Sequence, residues 1–163
     1  MTSALSFTMG STWIGACALI GAWATPLGAA SPNALTYFSA RATVGPDSEA
    51  LLGSFTIEST APKSVLIRAV GPSLAVFGVA GMLADPVLEL YDGKGVLVQQ
   101  NDNWSGSALS NAFASVGAFS LVNGSRDAAL LVSLPAGTYT ARVTGAGNTS
   151  GIALMEIYEA DNT

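Results

Sequence analysis

The sequence predicts an all-β protein: an antiparallel β-sandwich of about eight strands and jelly-roll type, with one short helix, preceded by an apolar N-terminal segment. Three observations point that way. Short stretches alternate bulky with small or polar residues, the period of two that buries one face of a strand and wets the other. Clusters of Gly, Pro and Asn interrupt those stretches at regular spacing. Helical spacing occurs in one short stretch, so the crossover helices that parallel strands need are missing.

In chain order, Met1 to Ala40 holds no charged side chain, and Arg41 is the first. Within it, Trp13 to Ala24 is a continuous apolar run followed by Pro26 and the small residues Gly28-Ala29-Ala30. An apolar run ending in small residues is what a signal peptidase reads. Residues 1–30 are therefore expected to be a cleaved signal, cut near Ala30 or at Ala24. The segment before Trp13 lacks Lys and Arg, which leaves two other readings open: a lipoprotein acylated at Cys17, or an uncleaved membrane anchor. Residues 31–40 follow as an arm or first strand, 41–160 as a single sandwich domain and 161–163 as a tail.

The strands are expected at Thr36–Val44, Leu51–Ser59 and Ser64–Val70, separated by Gly45-Pro46-Asp47 and Ala61-Pro62-Lys63 and closed by Gly71-Pro72. Val87–Tyr91 and Val96–Gln100 flank Asp92-Gly93-Lys94-Gly95, a hairpin signal because Gly supplies the positive φ of a tight turn. Ala128–Leu134, Thr138–Thr144 and Ile152–Tyr158 complete the set. The helix falls at Ala108–Val116, where Leu109, Ala112, Phe113 and Val116 recur at helical spacing, inside the longest excursion between strands, Trp104 to Ser125.

Composition excludes several chemistries. With no histidine and one cysteine in 163 residues, there is no Ser-His-Asp triad, no histidine-ligated metal, no thiolate zinc cluster and no internal disulfide. A net charge of -5 lacks the basic surplus that phosphate backbones require, so nucleic acid is not an expected partner. The remaining carboxylates Glu58, Glu89 and Asp102 are not brought together by any spacing, and no enzyme is expected.

The stretch "DPVLELYDGKGVLVQQNDNW", followed by "LPAGTYTARVTG", resembles the secreted β-sandwich modules of the bacterial pre-peptidase C-terminal type. "KSVLIRAVGPSLAVFGVAGMLADPVLELYD" is similar to an uncharacterised domain of large exported proteins of environmental bacteria, including Verrucomicrobia. The resemblance spans nearly all of Ala34 to Ala160. It implies a sandwich fold, a bacterial source, and a place outside the cell or on its surface, in modules that bind, space or anchor. With no catalytic domain beside it, such a module is expected to be held by copies of itself.

Several residues invite a site. Asp92 with Asn101, Asp102 and Asn103 forms a cluster of hard oxygen ligands that either holds calcium, the one cofactor considered, or makes Asx turns at the strand end. Trp104 lies among polar residues, where an indole either stacks on a sugar or folds over the sandwich as a lid. Arg68 sits inside an apolar strand and needs a carboxylate, with Asp85, Glu89 and Glu58 as candidates, for a structural ion pair or a ligand clamp. Leu35, Tyr37 and Phe38 lie in the uncharged arm, whose strand pattern suits addition to a neighbour's open sheet edge. Two functions follow as expectations. The first is a structural or adhesive protein that forms homo-oligomers, filaments or a cell-surface layer through strand pairing. The second is a calcium- or glycan-binding module, with any membrane contact confined to an uncleaved N-terminal segment.

Overall fold

The computed structural model describes residues 37–46 and 49–161. The signal segment 1–30 with Cys17, the arm residues 31–36 with Leu35, Asp47 and the last two residues lie outside that range. Eight strands and one helix follow in order: β1 Tyr37–Val44, β2 Leu51–Ile57, β3 Lys63–Val70, β4 Pro86–Asp92, β5 Leu97–Asn101, α1 Ser107–Ser115, β6 Ala128–Leu134, β7 Gly137–Gly145 and β8 Gly151–Glu159. They form two four-stranded antiparallel sheets, ordered β1-β8-β3-β6 and β2-β7-β4-β5. Two Greek keys interleaved in this order make a jelly roll.

Period-two alternation decides which side chains meet between the sheets. Val65, Ile67 and Ala69 of β3 and Ala153, Met155 and Ile157 of β8 face Leu88, Leu90, Ala141 and Val143 of the second sheet. The intervening residues of β3 and β8 are buried or partly buried too, because the chain between β5 and β6 folds over the outer face of the first sheet. There Leu66, Val70 and Tyr158 pack with Ala112, Phe113 and Leu121 in a second apolar cluster. The second sheet keeps one wet face, where hydroxyls pair across strands: Ser54 with Thr140 at 2.9 Å and Thr56 with Thr138 at 3.4 Å.

Two features depart from the sequence reading. Pro72–Phe77 forms a 3₁₀ segment where Gly71-Pro72 alone suggested a strand stop; Pro72 presets φ for the first turn and has no N–H to lose. The arm expected to reach a neighbour is partly used at home, since Tyr37, Phe38, Ser39 and Ala40 pair with Tyr158, Ile157, Glu156 and Met155 of β8. Alternating bulky residues find a partner strand in their own sheet, where pairing carries no cost of association.

Gly71 is required for space. A Cβ there would stand 2.1 Å from the Leu83 carbonyl oxygen, a backbone atom that cannot rotate away. Gly71→Ala is expected to destabilise the fold by about 1–3 kcal/mol or more through overpacking. A lowered urea midpoint with unchanged m-value checks this.

Candidate functional site

The outer face of the first sheet concentrates the protein's buried polar chemistry. Arg68 of β3 and Glu156 of β8 are direct cross-strand partners, so alternation sends both side chains to the same, outer face. Arg68 donates from Nε at 2.9 Å and from Nη2 at 2.6 Å to Glu156 Oε2, and its Nη1 donates to the Phe119 carbonyl at 2.6 Å. Its guanidinium lies 4.9 Å from the Phe113 ring centroid and 4.4 Å from that of Phe119. The arginine is 0% exposed and the glutamate 3%, a burial that only a paired and hydrogen-bonded charge tolerates. The other Glu156 oxygen, Oε1, accepts from the Tyr158 hydroxyl at 2.8 Å and from Tyr37 at 3.4 Å.

Helix α1 and the chain after it roof this pair. The helix ends in a Schellman motif: the Gly117 amide bonds Ala114 O and the Ala118 amide bonds Phe113 O, with Gly117 at φ 71°. The reversal brings the Phe119 carbonyl back over Arg68. Farther along, the fully buried Asp127 accepts from the Gly71 amide at 2.7 Å, the Ser73 amide at 3.2 Å and the Ser73 and Ser125 hydroxyls. Ser73 Oγ in turn accepts from the Val122 amide at 2.8 Å, so one carboxylate ties the 3₁₀ segment to the roof.

Between the end of α1 and the β1–β8 rim lies an open cavity of about 610 Å³, bordered by Tyr37, Tyr158, Glu156, Glu159, Ser115 and Gly117. Tyr37 and Tyr158 stack with ring centroids 4.6 Å apart at 29°.

The residues singled out in the sequence are dispersed. Asp92 and Asn101 stand at opposite ends of the β4–β5 hairpin, since Asn101 pairs with Leu88, four residues before Asp92. At about 3.3 Å per residue that is roughly 13 Å, so the proposed calcium cluster of Asp92, Asn101, Asp102 and Asn103 is not assembled. Asp92 Oδ1 instead accepts from the Lys94 and Val96 amides, both at 2.9 Å, which closes the turn. Asn101 bridges the sheets: its Oδ1 accepts from the Ala129 amide at 3.0 Å and its Nδ2 donates to Asn103 O at 3.1 Å. Asp102 and Asn103 are exposed. Trp104 lies half-buried against Phe113, 5.4 Å between centroids, and donates from Nε1 to Ser125 Oγ at 3.1 Å.

Arg68 takes none of its three expected carboxylates. Asp85 binds Arg126 at 2.8 Å and Glu89 binds Arg142 at 2.8 Å, while Glu58 is exposed. Glu156 escaped notice, although the alternation of "ALMEIYE" already places it on one face with Leu154 and Tyr158. Asp127 escaped as well, and the only hint was its place in a Ser- and Gly-rich stretch at a strand start. Among the assembly residues, Tyr37 and Phe38 remain 44% and 37% exposed on the edge strand β1.

No protein-family model and no curated protein matches this sequence. Among solved structures the chain is similar to the catalytic domain of a GH87 α-1,3-glucanase in complex with tetrasaccharides, at 16% identity and a TM-score of 0.31. The match covers 77% of this chain and 26% of that one.

Two outcomes are expected from this geometry. Arg68→Met alone leaves a buried carboxylate unpaired and should cost about 3–5 kcal/mol, whereas Arg68→Met with Glu156→Leu should recover most of the loss. A double-mutant cycle in urea measures the difference. Burial, and then the hydrogen bond to Glu156, holds the Tyr158 phenol above the ordinary tyrosine range. The folded protein keeps a proton there that the unfolded chain releases, so this contribution is complete below pH 10, the ordinary value, and is lost as pH rises past it. Phenolate absorbance against pH should show one late-titrating tyrosine, and Tyr158→Phe should remove that step.

Proposed function

We propose that this protein is an exported, non-catalytic structural sandwich that joins copies of itself through the edges of its second sheet. One observation carries the reading: charge is absent from three of the four edge strands, where a solitary sandwich needs it. Monomeric sheet proteins guard their edges with Lys, Pro or inward charges. Here Lys63, Arg68, Glu89, Asp92, Arg142, Glu156 and Glu159 all lie on the interior strands β3, β4, β7 and β8. The edge strands β2, β5 and β6 carry none, and β1 carries only Arg41.

Part of the β6 rim is already engaged by Asn101 at the Ala129 amide. That leaves β2 and β5, the two rims of one sheet, with Leu52 59%, Leu97 44% and Val98 45% exposed. The β4–β5 register shifts between Leu90 and Tyr91, next to the turn, so Gln99 to Asn101 stay in regular pairing. Strand β2 of one copy laid against β5 of the next extends the sheet from protomer to protomer, a head-to-tail contact that builds a ring or a filament according to the rotation between copies. Export rests on the apolar N-terminal run and its small-residue end.

Light scattering after size exclusion, with negative-stain electron microscopy, should find concentration-dependent oligomers or filaments of the mature protein. Leu52→Lys with Val98→Lys should give monomers whose stability lies within about 0.5 kcal/mol of the parent, since both positions face solvent. A parent that stays monomeric at every concentration, or assemblies indifferent to both lysines, would refute the proposal.

A further inference from the structure

We infer that the cavity beside Tyr37 and Tyr158 is a binding site for a neutral saccharide segment. The inference stands apart from edge assembly, because the cavity opens on the outer face of the first sheet and the proposed contacts use the second. Its volume of about 610 Å³ falls in the range that small ligands occupy.

The charge balance of the lining selects the ligand class. Glu156 and Glu159 are the charged groups of the lining: Glu156 is buried against Arg68, and Glu159 shares Lys63 with Asp161. An anion would meet two carboxylates, and a cation would have to compete with Lys63 for the one carboxylate at the rim, since Glu156 is buried and paired. A wholly apolar ligand would strip water from acceptors and leave them unpaired. A neutral polyhydroxyl ligand fits both requirements: the half-exposed Tyr37 offers an aromatic surface for the C–H face of a sugar ring, and oxygen acceptors stand around it. Ser115 donates its hydroxyl proton to Ala112 O at 2.8 Å, which turns its lone pairs outward as acceptors. The carboxylate of Glu159, with a side chain 30% exposed, adds another at the rim.

The walls are set before a ligand arrives. Tyr37 is held by its stack on Tyr158, Tyr158 by its hydrogen bond to Glu156, and Glu156 by Arg68. The facing wall, Ser115 to Phe119, is fixed by the Schellman turn and by the Phe119 carbonyl on Arg68. Little conformational freedom remains to be lost on binding.

Calorimetry and amide chemical shifts of the intact protein test the site against neutral gluco-, xylo- and manno-oligosaccharides, with tetramethylammonium and inorganic phosphate as cationic and anionic probes. At least one oligosaccharide should bind and move the amides of Gly117, Ala118 and Glu159. Tyr37→Ala should weaken it roughly tenfold. Ser115→Trp, on the exposed end of α1 and on the wall facing the tyrosine stack, should abolish binding by filling the cavity even if Tyr37→Ala proves poorly folded. The inference is overturned if no oligosaccharide binds, if the shifts fall elsewhere, if tetramethylammonium or phosphate occupies the cavity instead, or if Ser115→Trp binds as the parent does.

Discussion

The ion pair between Arg68 and Glu156 governs how this jelly roll is built outside its central core. Two opposite charges on adjacent inner strands, side by side on one face, leave the chain two options: expose the face to water, or cover it and satisfy every donor. The protein covers it. A guanidinium with two nitrogens on Glu156 still has a third to place, and the Phe119 carbonyl accepts from it. The roof must therefore return over the sheet at one point, which the Schellman turn at Gly117 arranges. A buried pair of this kind adds little net stability over a well-packed apolar substitute. Its effect is selective, because a roof that docks differently leaves a buried charge without its partners.

The same pair explains what was legible in the sequence and what was not. Strands were legible because each announces itself locally: "LLGSFTI" alternates within itself, and "DGKG" reverses the chain by its own backbone preferences. Ser107–Ser115 was legible for the same reason, with the helical spacing of its apolar residues contained in the segment. The partners of Arg68, Asp85 and Glu89 were not, because pairing depends on strand order, and eight strands can be threaded into a sandwich in many ways. In this order β8 lies between β1 and β3, which brings Glu156 to Arg68 across 88 residues. Asp92 and Asn101 failed as a cluster for the converse reason: nearness in sequence across a hairpin became distance along its strands.

At Trp104 the structure follows the second of the two readings, an indole folded against the sandwich. Polar residues that left open an indole stacked on a sugar are what seat it. Ser125 takes its N–H, Asp127 takes its backbone amide at 2.8 Å, and Phe113 takes its face. An amphipathic ring is well suited to such a seam, with its body in the apolar cluster and its one donor at the border.

Charge is scarce in this chain, 10% of residues, so its placement is informative. The central ladder of each sheet carries one directly opposed ion pair: Arg68 with Glu156 across β3 and β8, Glu89 with Arg142 across β4 and β7. The half-exposed second pair contributes little energy, but both pairs penalise a slipped register. A slip of one residue would send Arg68 into the apolar space between the sheets. Charge here fixes the pairing of the inner strands, while the outer strands rely on apolar alternation and hydroxyls. An edge specified that loosely accepts a further strand more readily than one lined with lysines. The division of charge that secures the inside of each sheet is thus the division that leaves the two edge strands of the second sheet uncharged.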